Sequence, residues 1–264
     1  MAETKKALII VRTYPTPAKK GIEVSCTAAV TEGGQWLRLF PIPYRFLEKD
    51  QRFRKYQWVE VRVEKASDAR PESYRLLYPD PIRILSEPLT SANEWQARKA
   101  ILKPLMGHCL CCIKKRQVEQ GSPTLGLFRP RAIKRLIIQN EKTPTWTEDE
   151  LQLLSQQKLF GRAPREELEK VPFKFKYEFT CDHDECSGHT LSCTDWEMGQ
   201  SWRSWRDEYG EAWMDKFRQR YETEMIDKND THFYVGTVHQ HPNSWIIVGL
   251  FYPPKPLMGD LFDE

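Results

Sequence analysis

Alternating apolar and polar positions fill much of the first 85 residues. In residues 56–64 three valines occupy one face and Trp58 the other, a period of two that is typical of a half-buried strand. Gly33 and Gly34 suit a tight hairpin turn between two further apolar segments. In all, three more segments predict strands, at 7–14, 21–30 and 35–42. Several short strands at this spacing predict a small barrel or sandwich.

The rest of the chain mixes helical and strand patterns. A helix is predicted from residue 91 to about residue 106, followed by strand-like segments at 108–120 and 122–140. Thr147 and Glu150 have the spacing of a capping box, which predicts a short helix in a polar stretch. The last part combines a Cys/His-rich turn with a long helix and strands at 173–179, 232–238 and 244–253.

These patterns divide the chain into five segments. The predicted segments are a first β unit (1–85), a helix with a second β unit (86–140), a connection (141–172), a Cys/His-rich α+β part (173–255) and a flexible acidic tail (256–264).

The predicted long helix carries a stripe of large apolar residues. Its members are Trp202, Trp205, Tyr209, Trp213, Phe217, Tyr221 and Met225. A stripe at this spacing is typical of a helix face packed into a core. Stacking of nucleic-acid bases is the alternative interpretation.

Charge is unevenly distributed over the 264 residues. The net charge is +3, but residues 1–180 carry 33 Lys and Arg against 21 Asp and Glu, and residues 181–264 carry 7 against 16. A basic surface favours polyanions such as nucleic acid. The alternative is attraction between two oppositely charged parts of the chain.

Apolar runs are short. None approaches the roughly 20 residues that cross a bilayer, and the N-terminus lacks the apolar region and cleavage site of a signal peptide. We therefore expect a cytoplasmic protein with no membrane partner. The odd number of cysteines, seven, argues against a disulfide framework.

The strongest local motif is a set of soft ligands within thirteen residues, with spacings of four, two and three. It comprises Cys181, Cys186, His189 and Cys193. Zinc binds four such ligands in a tetrahedron, and one turn is able to supply them. We predict a structural zinc site. A metal-free reduced loop and a catalytic zinc with an open position are the alternatives. Cys109, Cys111 and Cys112 lie on a predicted strand and are interpreted as buried thiols.

Acid–base chemistry has five candidate residues. They are His189, Asp195, Glu197, His239 and His241. Imidazole and carboxylate groups hold divalent cations or move protons at a phosphodiester. For 194–197 the structural alternative is a capping box in which Thr194 caps the long helix and Glu197 reaches back. For the two C-terminal histidines it is a solvated hairpin turn.

Residues 10–47 carry a family resemblance. A short strand leads to a loop with Lys19 and Lys20, then to a strand with Cys26, then to Gly34-Gln35-Trp36-Leu37-Arg38. This order resembles the opening of bacterial uncharacterised proteins with a dual OB-containing domain, and the resemblance extends over roughly residues 5–140. Leu39-Phe40-Pro41 departs from that pattern, which continues with polar residues.

The resemblance implies two small barrels that bind nucleic acid, and it brings no catalytic residues. The expected fold is therefore α+β, with two small OB-like β-barrel units followed by a mixed C-terminal part with a Cys/His zinc-type turn and a long helix. OB-type barrels bind single strands with a cationic groove and aromatic platforms. The candidate nucleic-acid-binding residues are Lys19, Lys20, Trp36, Arg38, Arg45, Arg52, Arg54, Lys55, Lys114, Lys115, Arg129 and Arg131.

The acidic end of the chain offers a partner site. Leu261 and Phe262 in the sequence Asp260-Leu261-Phe262 are similar to the end of bacterial sliding-clamp-binding peptides, although Met258 stands where those peptides begin with Gln. An inert tail is the alternative.

The leading hypothesis is a protein that binds DNA or RNA through a basic, aromatic β platform and carries structural zinc. One alternative is a metal-dependent nuclease or related hydrolase, so the sequence leaves open whether the protein is an enzyme. The other is an accessory protein-interaction module of a bacterial antiviral defence or repair assembly.

Overall fold

The N-terminal part of the chain forms a closed barrel. The structure is a computed structural model that describes residues 1–18, 23–77, 81–156, 167–239 and 241–256. The first six strands are β1 (Ala2–Arg12), β2 (Ser25–Thr31), β3 (Trp36–Ile42), β4 (Trp58–Lys65), β5 (Ser73–Leu76) and β6 (Arg83–Ile84). Their order is β1-β2-β3-β5-β4-β6, and β1 also pairs with β4. This second pairing of β1 closes five strands into a barrel, as the alternating pattern predicts.

The first strand contributes to two cores. Ala7 and Ile9 of β1 point into the barrel, where they pack with the three valines of β4. Leu8 and Ile10 point outward and pack against residues from the second half of the chain. Because successive side chains of a strand alternate between its faces, one apolar run serves both cores.

A second sheet holds the remaining strands. They are β7 (Met106–Gly107), β8 (Leu125–Phe128), β9 (Ala132–Asn140), β10 (Phe173–Thr180), β11 (His189–Cys193), β12 (His232–Val238) and β13 (His241–Phe251), in the order β7-β8-β12-β13-β11-β10-β9. The strands at 125–140 therefore share one sheet with the C-terminal strands. The separate second barrel expected for 86–140 is not formed by the described residues.

The two halves are joined by α1 (Ala92–Leu102), which begins in an unusual conformation. Asn93, Glu94 and Trp95 have φ of 47°, 51° and 64°. Residues other than glycine adopt this left-handed region rarely. The turn brings the Trp95 ring to 6.2 Å from that of Tyr56 and 5.5 Å from that of Phe251, so it packs one half of the chain against the other.

The strand predicted over 108–120 is a helix, and this prediction is wrong. In α2 (Leu110–Gln120) the Cys109 side chain caps the first turn by accepting a hydrogen bond from the backbone N–H of Cys112. Gly121 ends the helix with a φ of 69°, a conformation that glycine adopts at low cost. Leu110 and Ile113 are buried against the second sheet, whereas the lysines and arginine of the segment lie on the outer side.

The capping box at Thr147 is confirmed. The Thr147 hydroxyl accepts from the N–H of Glu150, and the Glu150 carboxylate accepts from the N–H of Thr147 at 2.8 Å. The short helix is α3 (Glu148–Gln156).

The long helix is divided into α4 (Trp196–Tyr209), α5 (Trp213–Arg218) and α6 (Glu224–Asp227). Most of its apolar stripe is buried in the core of the second sheet, as expected, although Tyr209 is exposed. The predicted capping box at 194–197 is wrong in its cap residue. Asp195 caps the helix and accepts from the N–H of Glu197 at 2.7 Å. The Glu197 carboxylate accepts from Lys55 instead, and the N–H of Thr194 donates to the Ile247 carbonyl.

The second sheet covers the β1–β2 side of the barrel. Val30 and Leu8 of the barrel pack with Leu127, Tyr234 and Val248 of the second sheet. A buried polar contact also crosses the boundary, since Arg38 donates to the backbone carbonyl of Thr124 at 3.0 Å. The strands most exposed in an isolated barrel are therefore internal in this chain.

Candidate metal centre and basic groove

Four metal-binding side chains meet beside the first turn of α2. Cys111 lies in α2, Cys181 follows β10, Cys186 lies in the turn after it, and His189 begins β11. Their ligand atoms lie within 4.8 Å of one another. Across the described parts of the chain, this is the one such group of three or more His, Cys, Asp or Glu side chains.

The distances within this group suit a tetrahedral zinc ion. The Nε2 atom of His189 lies 3.3 Å from the Cys111 sulfur and 3.5 Å from the Cys186 sulfur. Zinc with Zn–S of about 2.3 Å and Zn–N of about 2.0–2.1 Å has tetrahedral S···N edges of about 3.5 Å. Three thiolates and one imidazole are a donor set of structural zinc sites. The residues therefore fit zinc.

Backbone N–H groups point at two of these sulfurs. The N–H of Cys181 donates to the Cys186 sulfur at 3.2 Å. Burial acts to raise the pKa of the Cys186 thiol, but the N–H groups of Cys181 and Gly188 outweigh it and the pKa is lowered. The N–H groups of Cys111 and Leu110, at the start of α2, act to lower the pKa of Cys181. Donors of this kind stabilise thiolates.

Cys111 and Cys181 hold their protons tightly in the absence of a cation. Burial raises the pKa of Cys111 to about 12, and the neighbouring Cys181 and Cys186 raise it further. Burial likewise raises the pKa of Cys181 to about 11. Burial and then Lys114 lower the pKa of His189, which leaves a neutral imidazole with a lone pair for a metal. A divalent cation supplies the positive charge that this group of thiols lacks.

The predicted ligand Cys193 lies outside this group. It is buried at the far end of β11, where burial raises the pKa of its thiol strongly. Four residues of strand separate it from His189, which is about 13 Å at the usual rise per residue. Two ligands at that separation do not share one metal ion. The position predicted for Cys193 is taken by Cys111.

Asp195 and Glu197 belong to a different polar cluster, at the boundary between the barrel and the second sheet. The Lys55 ammonium lies 3.7 Å from the Asp195 carboxylate and 3.3 Å from that of Glu197. It also donates to the Leu250 carbonyl at 3.0 Å. Asp195 accepts from the N–H of Leu250 at 2.9 Å, in addition to capping α4. This Lys55 network ties the two halves of the chain together.

The pKa values within the Lys55 network follow from this pairing. Burial acts to lower the pKa of Lys55, but Glu197 and Asp195 outweigh it and hold the pKa well above its usual value. Lys55 lowers the pKa of Glu197. Burial raises the pKa of Asp195, although Lys55 opposes it. The charged groups of the network are therefore paired with one another within the chain.

The two C-terminal histidines lie at the turn between β12 and β13. The Nδ1 atom of His239 is 3.4 Å from the carboxylate of Asp68, and 60 % of its side chain is exposed. His241 is exposed. The five candidate catalytic residues are thus spread over three places: the Cys/His group, the Lys55 network and this turn. The described residues do not assemble them into one site.

The predicted basic platform is also dispersed. Arg38 is buried at the boundary, and the Lys55 side chain, 18 % exposed, is held by its carboxylates, so neither suits contact with nucleic acid. Trp36 is half-buried against the second sheet. Lys19 and Lys20 lie outside the described residues, as do Leu261 and Phe262.

The remaining basic candidates differ in their partners and exposure. Arg54 pairs with Glu87 at 2.5 Å, and Arg129 with Asp230 at 2.6 Å. Lys114 is half-buried near the Cys/His group, while Lys115 and Arg131 are exposed. Arg45 and Arg52 border a groove.

An open groove of about 670 Å³ runs between the barrel and α4. Arg52 donates to the carbonyls of Leu47 and Arg45, and so holds the groove wall in shape. Its aromatic and cationic side chains come from both halves of the chain, and they are Tyr44, Arg45, Lys49, Arg52, Trp196 and Arg203.

A half-buried arginine, Arg12, lies behind the aromatic residues of the groove. The Arg12 guanidinium is 3.6 Å from the ring centre of Tyr44 and 3.9 Å from that of Trp196. Contacts of this length are cation–π interactions. They fix both rings at the groove, since one cation holds a ring from each half of the chain.

Sequence reasoning missed several of these residues. Cys111 had a visible signal, because it lies in a cluster of three cysteines, but the predicted strand hid its position at a helix start. Lys49, Arg203 and Trp196 gave no signal, since only the packing of α4 against the barrel brings them together.

Comparison with known proteins gives two family matches and distant structural neighbours. The family model described as "Domain of unknown function (DUF8757)" matches residues 106–264, and the one described as "Domain of unknown function (DUF8758)" matches residues 3–104. No curated protein matches the chain.

One solved structure aligns over most of both chains, with 97 % of this chain and 99 % of the other covered. It is described as "Structure of murine DNA binding protein bound with ds DNA", with a TM-score of 0.35 and 8 % identity. A TM-score this low supports no inference about the fold or the function of this chain. Separately, none of the helices in the described residues has the length and apolar character needed to cross a membrane.

Proposed function

The chain belongs to the family described as "Domain of unknown function (DUF8757)", and we propose that it binds nucleic acid in the groove between the barrel and α4. The observation that carries this proposal is the lining of the groove. Among the described residues that line it are four cationic side chains, one acidic side chain (Glu48) and the rings of Tyr44 and Trp196. Cations attract phosphates, and aromatic rings stack on bases.

The barrel is consistent with this proposal. Its closed order β1-β2-β3-β5-β4 is that of a five-stranded barrel, and we infer that it is of the OB type. In this chain the second sheet covers the β1–β2 side. The proposed binding surface is therefore the groove at the edge of the barrel, and it includes Arg45 and Arg52 of the residues expected from sequence.

Zinc has a structural role in this proposal. Cys111, Cys181, Cys186 and His189 would hold the ion and so connect α2 to the turn between β10 and β11. Four protein ligands leave no open position for a substrate, as is typical of structural zinc. The ion would stabilise the second sheet, on which α4 and its side of the groove rest.

A gel-shift experiment tests the binding. Labelled single- and double-stranded DNA and RNA are titrated with the protein at two salt concentrations, in the presence of Mg²⁺. We expect a shift that weakens at the higher salt, because phosphate contacts release counterions. A denaturing gel of the same samples reports cleavage, and cut strands would favour the nuclease alternative instead.

A charge reversal tests the location. Lys49→Glu places a negative charge in the groove and is expected to weaken binding by roughly tenfold at low salt and to reduce the salt dependence. Lys134→Glu makes the same change in net charge on β9, in the second sheet, and is the matched control. Equal affinities of the two variants would show that the groove is not the binding site. The absence of any gel shift with the wild-type protein would contradict nucleic-acid binding itself.

A further inference from the structure

Three cysteines begin α2, and the zinc group uses only one of them. Cys111 faces His189, whereas Cys109 and Cys112 do not belong to the group of metal-binding side chains. Neither of these two thiols is explained by the proposed function. They have the Cys-x-x-Cys spacing at a helix start that is typical of reactive dithiols.

The two thiols are already close together. Cys109 caps α2, and its sulfur accepts a hydrogen bond from the N–H of Cys112 at 3.1 Å. The two sulfur atoms are 2.7 Å apart, and a disulfide joins sulfurs about 2.05 Å apart. Closing a disulfide therefore needs only a small side-chain movement and no change in the path of the helix.

The two sulfurs differ in their access to solvent. Cys109 is fully buried, whereas Cys112 is half-buried. An oxidant from solution would therefore meet Cys112 first, with Cys109 beside it on the protein side.

We propose that Cys109 and Cys112 are an oxidisable dithiol that closes to a disulfide while the zinc group keeps its own thiols. The oxidant class is a low-molecular-weight disulfide such as oxidised glutathione. The Cys112 thiolate attacks one sulfur of the oxidant, forms a mixed disulfide and releases one glutathione thiolate. The Cys109 thiolate then attacks the Cys112 sulfur and releases the second glutathione.

The step balances in atoms and electrons. One intramolecular S–S bond forms in the protein and one S–S bond of the oxidant breaks. Two electrons pass from the protein to the oxidant, and the two protons lost by Cys109 and Cys112 are taken up by the two released glutathione thiolates.

The experiment uses the full-length protein loaded with zinc. It is incubated with excess oxidised glutathione, quenched in acid, denatured with a chelator, and its free thiols are alkylated and counted by mass spectrometry. We expect the seven free cysteines of the reduced chain to fall to five. Fragmentation of the peptide that contains Cys109, Cys111 and Cys112 should show alkylation at Cys111 alone. Bound zinc per chain, measured before denaturation, should be unchanged.

Variants locate the reaction. In Cys109→Ser and in Cys112→Ser the fall to five thiols should be abolished. Cys26→Ser, at a thiol in the barrel, should leave the loss of two thiols intact and is the matched control. Three results would overturn the proposal: no loss of thiols in the wild-type chain, a glutathione adduct that stays on Cys112, or a disulfide that includes Cys111, Cys181 or Cys186 with release of zinc. Each is read on the wild-type chain, so the test does not depend on how well a variant folds.

Discussion

The Lys55 network and the Cys/His group are two polar clusters that balance their charges differently. In the Lys55 network one ammonium lies between two carboxylates, and backbone groups of Leu250 complete the contacts. In the Cys/His group three thiols surround a neutral imidazole, and no cationic side chain is among the four. The first cluster contains its own cation, whereas the second has the side chains and the spacing to hold a metal ion.

This difference separates a structural ion network from a ligand site. Asp195 and Glu197 resemble catalytic carboxylates in the sequence, yet each is committed to a partner within the fold. Cys111 resembles an ordinary buried thiol in the sequence, yet it faces three other metal ligands. Whether a cluster is a ligand site is therefore better judged from the balance of charge within it than from its residue types alone.

The largest expected effect is the loss of the metal. Cys111→Ser should reduce bound zinc and lower the free energy of unfolding by about 4 kcal/mol, since a metal present at a thousand times its dissociation constant stabilises by that amount. Zinc per chain and denaturant unfolding measure both. Cys193→Ser is the matched control and should keep its zinc. The reverse result, with zinc lost in Cys193→Ser and kept in Cys111→Ser, would contradict the assigned ligand set.

The next effect is the loss of the ammonium from the Lys55 network. Lys55→Met leaves Asp195 and Glu197 without their cation, and removal of one partner of a buried pair costs about 3 kcal/mol. Urea unfolding of the wild type and the variant measures the difference. Lys49→Met, at an exposed lysine in the groove, should change stability by less than about 0.5 kcal/mol. Equal effects of the two substitutions would mean that the Lys55 network does not stabilise the contact between the barrel and the second sheet.

The pair of Glu23 and Arg45 is intermediate between the Lys55 network and the Cys/His group, because its one cation only partly offsets the effect of burial. Glu23 is buried and lies 3.1 Å from Arg45, and burial raises its pKa to about 7 although Arg45 opposes the shift. Because the folded state holds this proton more tightly than the unfolded state, the stability contributed by Glu23 is lost as the pH rises from about 4.5 to about 7. Glu23→Gln removes this dependence.

The measurement is thermal or urea unfolding of both proteins between pH 4.5 and pH 8. The stability of Glu23→Gln relative to the wild type should rise by roughly 3 kcal/mol over this range. A difference that stays constant with pH would show that Glu23 keeps an ordinary pKa.

The smallest effect is expected at the turn between β12 and β13. His239→Ala and His241→Ala should leave bound zinc unchanged and should alter the free energy of unfolding by less than about 0.5 kcal/mol, because both side chains are largely exposed. Zinc content and unfolding curves check both variants. A fall in zinc content would join this turn to the metal site and would revive the proposed catalytic set.

Local patterns predicted local features well. The alternation in β4 and the apolar runs of β1 to β3 are physical consequences of a barrel with one face inside, so they are visible in the chain itself. The short spacings of Cys181, Cys186 and His189 are likewise local, because one turn brings these three together. The capping box at Thr147 was predictable for the same reason.

Features that depend on distant contacts were not predictable. Cys111 reaches the metal group only because α2 packs beside the end of β10, and the separation of Cys193 from His189 depends on the strand between them. Arg38 and Lys55 look like surface cations in the sequence, because their partners Thr124 and Asp195 lie far along the chain. The groove requires α4 to pack against the barrel, a contact that no local pattern records.

The two outward-facing residues of β1 have a consequence for dividing the chain. The family matches meet between residues 104 and 106, yet Leu8 and Ile10 share a core with Leu127 and Tyr234 on the other side of that boundary. A chain cut at residue 105 would give two fragments, each with an apolar face that the other fragment normally covers. We expect the fragments to aggregate when made separately and to recombine when made together, so the boundary suits a split-protein pair better than two independent domains.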